Sequence, residues 1–149
     1  MEYQEESYWD VIDELRPMLQ EHYKEVAMYQ DDIDLNFDEE KYRTIDHQDA
    51  LRIFTMREEG KLVGYNVFFV STHIHYMDHI YAQNDVVYID PEYRGSECTP
   101  TFFKRCDNWL KEEGVSVITY HMKVNKPFQA LMDFLEFDHA EHIYTKYVG

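Results

Sequence analysis

The sequence predicts a mixed α/β (α+β) domain in which a mostly antiparallel central sheet is flanked by helices. Apolar residues recur every three to four positions near the start of the chain, as in a helix, and at every second position from Leu51, as in strands. Strand and helix patterns then alternate, which is typical of helices packed on a mixed sheet. With 149 residues, of which 44% are hydrophobic, we expect a single domain over residues 1–149.

An amphipathic helix is predicted near the start of the chain. Ser7 followed by Asp10 suits a helix cap, and Pro17 lacks the amide that a helix interior needs, so we expect a kink or a division near Arg16. The acidic segment that follows has weak periodicity and is predicted to be a loop with a short helix over residues 38–42. The helical face consists of apolar residues three and four apart, namely Tyr8, Ile12, Leu15, Leu19, Tyr23 and Val26.

Five strands and two helices are predicted after residue 50. A turn around Gly60 joins the first two strands in a hairpin, and the third strand, "DVVYID", ends at Pro91. The next helix is predicted to have Thr99 as its N-cap and Pro100 in its first turn, and to end at Gly114. A strand, a short helix and a terminal strand follow in "VSVITYHM", "KPFQALMDFLEF" and "HAEHIYTKYV".

The composition argues against several classes of function. The chain has 30 Asp and Glu residues against 14 Lys and Arg, and its net charge of −16 opposes binding to nucleic acid. The same charge favours a cationic substrate such as an amine, or a basic protein surface, although it also serves solubility alone. No apolar run is long enough for a membrane span and the acidic N-terminus is unlike a secretory signal, so we expect no membrane association and a cytoplasmic location. Cys98 and Cys106 are expected to be reduced thiols on one helix.

The segment "VVYIDPEYRGSECTPTFF" delivers a strand into the N-terminus of a helix. The first amides of a helix have no partner within it and carry partial positive charge, so this arrangement can bind an anion such as a phosphate. An ordinary connection between a strand and a helix has the same pattern, and the segment alone leaves both interpretations open.

Three successive segments resemble a known family. "VVYIDPEYRG" with its following helix, "EEGVSVITYHMKVN" and "NKPFQALMDFLEF" resemble the central half of a GNAT acyltransferase. The chain is similar to small phage-encoded members, including its ending "IYTKYVG", which implies the host cytoplasm, or the virion if a phage encodes it. The resemblance covers about two-thirds of the chain, from Leu51 to the C-terminus. It implies a GNAT-like fold, acetyl-CoA as acyl donor, and transfer to an amine of a small molecule or a protein.

The resemblance also implies coenzyme-binding residues. In the family, main-chain groups at the end of the strand pair with the pantetheine arm, a role that falls on Val87, Tyr88 and Ile89. Asn125 matches an asparagine that opens the family's next helix and can bond the coenzyme. The family's R-x-x-G-x-G loop wraps the diphosphate, and its last two glycines are absent here. That loop falls on Arg94, Gly95, Ser96, Glu97, Cys98 and Thr99.

Departures from the family pattern bear on activity. Glycine lets backbone approach a phosphate closely, so Glu97 and Thr99 at the glycine positions oppose the usual mode of coenzyme binding. Met132 stands where the family often has a tyrosine that protonates the departing thiolate, and a thioether cannot donate a proton. Tyr144 and Tyr120 are the candidate donors instead, although a tyrosine in a half-buried strand is usually core.

Asp85 is the candidate catalytic base for direct attack of an amine on the acetyl thioester. The attacking amine must lose a proton, and a carboxylate can take it directly or through water. The strand period of two places Asp85 on one face with Gln83, Val87 and Ile89, unless a bulge shifts that parity.

Two other interpretations stay open. His73, His75 and His79 form an H-x-H-x-x-x-H pattern that could bind a metal ion, although exposed or hydrogen-bonded strand histidines are commoner and we expect no metal site. The departures from the family pattern and the net charge also fit a catalytically degenerate GNAT fold that serves as an acidic protein-interaction or phage structural module.

Overall fold

A five-stranded sheet forms the centre of the protein, whose computed structural model describes residues 1–149. Its strands are β1 (Glu2–Glu6), β2 (Leu51–Glu58), β3 (Lys61–His73), β4 (Tyr76–Ile89) and β5 (Val115–Thr119). They lie in the order β1-β2-β3-β4-β5, and all neighbours are antiparallel except β5, which runs parallel to β4. The predicted mixed, mostly antiparallel sheet is confirmed.

Helices cover both faces of this sheet. They are α1 (Tyr8–Val26), α2 (Glu39–His47), α3 (Cys98–Glu112) and α4 (Gln129–Phe134), with a 3-10 turn over Pro91–Tyr93. One core packs Phe54 of β2 against α3 and α4, and the other packs Ile53 against α1. Adjacent strand residues enter opposite cores because strand side chains alternate. No helix combines the length and the apolar character that a membrane span requires.

β1 is a strand that the sequence analysis missed. Its residues, "EYQEE", lack an apolar alternation, and only the ring of Tyr3 stacks on the core residue Phe102. The strand pairs with β2 along its whole length, and as a short, charged edge strand it resists pairing with other chains. The sequence carries no hydrophobic signal for it because acidic residues fill most of its positions.

α1 confirms the predicted cap but not the predicted division. The Asp10 amide donates to Ser7 Oγ over 3.3 Å, so Ser7 is the N-cap. The helix runs through Pro17 without a break, and Pro17 lies on its exposed side, where water can satisfy the carbonyl that loses its partner. α2 is longer than the short helix expected there, and begins after Asp38, whose side chain accepts from the amide of Lys41.

Two predicted boundaries and one predicted strand after residue 70 are wrong. β4 begins at Tyr76 rather than near Asp85, because a histidine- and tyrosine-rich segment continues the β3–β4 hairpin past Leu51, where β2 begins. α3 begins at Cys98 with Glu97 as its N-cap, so Thr99 is already helical, whereas the predicted stop at Gly114 is confirmed by a positive φ of 90° just past the helix. The predicted terminal strand does not form: residues 138–149 pair with no strand. Alternation of apolar residues favours a strand but does not indicate which strand it would pair with.

Arg57 joins β1, α1 and the turn between β2 and β3. Its guanidinium donates to both carboxylate oxygens of Glu6, to both of Glu14 and to the carbonyl of Gly60, over 2.8 to 3.1 Å. The Arg57 side chain is only 9% exposed, so these bonds form largely away from water. Burial acts to raise the pKa of Glu6, but hydrogen bonds from Arg57 and Thr55 outweigh it and hold that pKa below its ordinary value.

Replacing Arg57 with alanine should lower the free energy of unfolding by about 3 kcal/mol at pH 7, because the variant leaves the largely buried carboxylate of Glu6 without its counter-charge. Urea unfolding measures the loss. The control Lys24→Ala removes an exposed pair with Glu21 and should cost less than about 1 kcal/mol. Because the pKa of Glu6 is lowered, this stabilisation is present above its ordinary value of 4.5 and disappears as the pH falls further. Equal losses in both variants at pH 7 would contradict a structural role for Arg57.

Candidate functional site

β4 and β5 separate part-way along their length. Their parallel pairing ends at Gln83 and Thr119, whereas β4 continues to Ile89. The amide of Asp90 donates to the Val63 carbonyl of β3 over 2.8 Å, so by alternation the main-chain groups of Ile89 and Val87 point away from β3 into the gap. Those of Tyr88 point towards β3 by the same alternation. The gap therefore exposes part of the backbone edge predicted from the sequence.

A bulge in β4 decides which way Asp85 points. Val67 pairs with Val86 and the next residue of β3 pairs with Asn84, so Asp85 is the extra residue. Val87 and Ile89 pack in the core beneath α3, whereas the carboxylate of Asp85 meets α2 on the other face. The prediction that all three share one face is therefore wrong, because the bulge shifts the strand parity.

The carboxylate of Asp85 is partly buried and accepts a hydrogen bond at only one of its two oxygens. The hydroxyl of Tyr42 donates to Asp85 Oδ2, and Oδ1 has no hydrogen-bond partner in the protein. Burial raises the pKa of Asp85, while the Tyr42 hydroxyl and the nearby His121, which follows β5, act in the opposite direction. Burial and the adjacent carboxylate also raise the pKa of Tyr42, so its hydroxyl stays protonated. A carboxylate with one free oxygen can accept a proton or hold an ammonium group.

Buried side-chain amides fix the bulge, and sequence reasoning missed them. Asn84 Nδ2 donates to Asn66 Oδ1 over 2.8 Å and to the Val67 carbonyl over 3.1 Å. Asn66 Nδ2 in turn donates to the hydroxyl of Tyr120 over 2.8 Å. Tyr120 is held within the core by this bond, and burial raises its pKa well above the ordinary value. Two asparagines in strongly apolar strands were the available signal, because a buried amide needs partners.

The connection from the 3-10 turn to α3 presents free amides. The main-chain N–H groups of Gly95, Ser96, Glu97 and Cys98 have no acceptor in the protein, and α3 begins directly after them. Gly95 has φ of 76°, where only glycine sits without strain, and no atom lies within 4 Å of where a Cβ would be. A run of unpaired amides at a helix N-terminus is an anion-binding arrangement.

Side chains shape this loop in place of the missing glycines. The carbonyl of Tyr93 accepts from Ser96 Oγ over 2.6 Å and from Thr99 Oγ1 over 3.1 Å. Glu97 has φ of −65°, which any residue adopts, and its carboxylate makes no hydrogen bond to the helix N-terminus. The glycines of the family pattern are therefore not needed for backbone conformation here, and the free amides are not occupied by Glu97.

Arg94 fastens the loop to α1. Its guanidinium pairs with both carboxylate oxygens of Glu25, over 2.5 and 2.9 Å, and its Nε donates to the Ile89 carbonyl over 2.6 Å. The guanidinium also lies 5.1 Å from the ring centroid of Tyr88. Hydrogen bonds from Arg94 lower the pKa of Glu25, so the ion pair is stable at neutral pH. The Arg94 side chain is thus bound to protein groups, and of the predicted loop it is the main-chain amides that are free.

The other predicted residues make no hydrogen bond to Asp85 or to the loop before α3. Asn125 is exposed in a turn before α4 rather than at the start of that helix, and Met132 is buried in the core beside α3. Tyr144 is 90% exposed and has no hydrogen bond that would bring it to Asp85. His73 accepts from the amide of His75, and no three His, Cys, Asp or Glu side chains converge as metal ligands would.

Residues 9–137 match the model of a family described as the Acetyltransferase (GNAT) family. The chain belongs to this family. GNAT acetyltransferases use acetyl-CoA as acyl donor, which is the donor predicted from the sequence. No curated protein matches the chain in sequence.

Solved structures of GNAT acetyltransferases share the fold. An aminoglycoside acetyltransferase from an uncultured soil metagenomic sample, crystallised with trehalose, has a TM-score of 0.70 at 13% identity, covering 99% of this chain and 96% of that chain. A ribosomal-protein-alanine N-acetyltransferase from Brucella melitensis biovar Abortus 2308 has a TM-score of 0.67 at 16% identity, with 99% and 98% covered. A predicted acetyltransferase with acetyl-CoA from Clostridium acetobutylicum has a TM-score of 0.70 at 12% identity, with 98% and 95% covered.

Replacing Glu97 with glutamine should tighten binding of coenzyme A about fivefold, because it removes screened repulsion of about 1 kcal/mol between the carboxylate and the diphosphate. Isothermal titration calorimetry at low salt measures the change, which should shrink as salt is added. Glu112→Gln, which removes the same charge at the far end of α3, is the control and should leave the Kd unchanged. A Kd that is equal in the Glu97 variant and the wild type would argue against a diphosphate at this loop.

Proposed function

We propose that this GNAT protein is an N-acetyltransferase that moves the acetyl group of acetyl-CoA directly to an amine. The observation that carries the proposal is the meeting of three features where β4 leaves β5. These are the unpaired edge of β4, the free amides before α3 and the half-free carboxylate of Asp85. Neither a metal nor a covalent enzyme intermediate is needed for such a transfer.

The residues present fit the coenzyme. We assign the amides of Gly95, Ser96, Glu97 and Cys98 to the diphosphate, because they are a run of donors without acceptors. The gap-facing main-chain groups of Val87 and the amide of Ile89 suit the pantetheine arm, whereas the Ile89 carbonyl already accepts from Arg94. The neighbouring residues Tyr88, Arg94 and Thr99 support these groups, and exposed Asn125 is the proposed contact beyond the gap.

Side chains of the protein can accept and donate the protons that the transfer requires. Acetyl-CoA supplies an activated acetyl group, whose bond to sulfur breaks as its carbon forms the new bond to nitrogen. Asp85 holds the acceptor ammonium and takes the proton that the nitrogen must lose, and Tyr42 keeps the carboxylate oriented. Tyr144 is the proposed proton donor to the departing sulfur, because Tyr120 is fixed in the core and Met132 has no proton to give.

The acceptor is an amine of a small molecule or of a protein. The printed descriptions of similar structures name an aminoglycoside acetyltransferase and a ribosomal-protein-alanine N-acetyltransferase, and the net charge of −16 favours cationic acceptors of either kind.

A catalytically degenerate GNAT module that binds a basic protein surface is the second candidate. It is favoured by Met132 at the family's tyrosine position and by the net charge. Stabilisation by millimolar acetyl-CoA in a thermal melt supports the enzyme, because a ligand that binds only the folded state raises Tm. Indifference to acetyl-CoA together with no transfer to any amine supports the degenerate module.

Replacing Asp85 with asparagine should lower kcat/KM for the acceptor about 100-fold or more, because an amide cannot take the proton. Acetylation assays that follow the released thiol measure the loss. Asp78→Asn, an exposed position on the same strand, should stay close to wild type and serves as control.

Replacing Tyr42 with phenylalanine should shift the acidic limb of the pH profile to higher pH. The Tyr42 hydroxyl lowers the pKa of Asp85, so its removal raises that pKa, and the base is then lost by protonation at higher pH. The measurement is kcat/KM against pH for both proteins. An unchanged limb, or one that moves to lower pH, would rule out Asp85 as the base.

A further inference from the structure

A small cavity lies beside Asp85 between α1, α2 and the sheet. It measures about 30 Å³, and every residue that lines it is apolar or aromatic. The deep wall includes the fully or almost fully buried Ile12, Leu15 and Tyr65, whereas Leu19 and Phe37 are half-buried. The cavity therefore reaches solvent on the side of Leu19 and Phe37.

Tyr42 and Val86 connect this cavity to the proposed base. The ring of Tyr42 lines the cavity while its hydroxyl donates to Asp85 Oδ2. Val86, the residue after Asp85, also lines it, and belongs to the same core as α1. Asp85 is not itself a lining residue, but its carboxylate lies directly behind the Tyr42 hydroxyl, and the lining offers no charged or amide group.

We propose that the acceptor is a primary amine with a short apolar tail, whose ammonium group meets Asp85 and whose tail occupies this cavity. The inference rests on the proposed function and narrows it. Apolar walls stabilise a hydrocarbon tail through burial, and Asp85 compensates the one charge that the ligand brings. A single water needs about 10 to 15 Å³ of such space, so the cavity has room for only the last two or three carbons of the tail.

The same walls select against polyamines and other polycationic acceptors. A second ammonium group at the far end of the tail would be buried among Ile12, Leu15 and Tyr65, where the lining offers tyrosine hydroxyls but no carboxylate to compensate its charge. Burying an unpaired charge is costly enough to reduce binding by about tenfold or more. The net negative charge of the protein attracts all cations alike, so the discrimination arises in the cavity and not at the surface.

The test compares n-butylamine with 1,4-diaminobutane, which have the same carbon chain and differ by one terminal amine. We expect kcat/KM for n-butylamine to exceed that for 1,4-diaminobutane about tenfold or more. Leu19→Glu places a carboxylate at the cavity and should reduce or invert this preference. Gln20→Glu adds the same charge at an exposed neighbouring position of α1 and should leave the preference unchanged. Leu19→Phe should lower kcat/KM for n-butylamine without changing the KM for acetyl-CoA.

A direct binding measurement separates failure of this inference from failure of the proposed function. Amide NMR shifts of Leu19, Tyr42 and Val86 should respond to n-butylamine at lower concentrations than to 1,4-diaminobutane, whether or not transfer occurs. Acetylation of 1,4-diaminobutane as fast as n-butylamine overturns the inference while the acetyltransferase stands. Should no amine be acetylated, those selective shifts still uphold the inference, and their absence overturns it.

Discussion

The buried side-chain amide of Asn84 holds the bulge on which the candidate site depends. Both of its N–H groups are used, on Asn66 Oδ1 and on the Val67 carbonyl, where the register between β3 and β4 shifts. Straightening β4 would leave these buried groups unpaired, which costs more than a surface hydrogen bond gains. The bulge turns Asp85 towards α2 while Val87 and Ile89 stay beneath α3. The proposed base therefore lies on the face of β4 opposite α3, and the proposed coenzyme edge faces the gap between β4 and β5.

The loop before α3 can attract an anion although the protein as a whole is strongly acidic. Under the proposed function a protein of net charge −16 holds a diphosphate at this loop, and the loop's own arginine, Arg94, is already paired with Glu25. Main-chain amides supply local positive potential that does not depend on net charge, and the partial charge of the helix terminus adds to it. The hydroxyl groups of Ser96 and Thr99 donate to the Tyr93 carbonyl and so hold the loop in its conformation. Side chains therefore shape the loop where the family pattern has glycines. Ionic strength should affect this site less than it would a cluster of lysines.

The features that the sequence predicted are those with a strong local signal. The spacing of apolar residues predicted α1 and the hairpin of β2 and β3, and Gly114 indicated the end of α3. β1 was not predicted because it is stabilised by pairing with β2 and by Arg57, and neither contact produces an apolar pattern in the sequence. The direction of the Asp85 side chain was not predicted because the bulge depends on a contact between residues distant in sequence, Asn84 and Asn66. The terminal strand was expected from alternation alone, and no pairing partner supports it.

Direct observation of the main-chain amides tests the central claim, that unpaired backbone at the end of β4 and before α3 receives the coenzyme. In a ¹H–¹⁵N NMR titration with acetyl-CoA, the account predicts that the largest shifts belong to Val87, Ile89 and the amides from Gly95 to Cys98. Saturable shifts confined to other surfaces, or no shifts at millimolar acetyl-CoA, would contradict it.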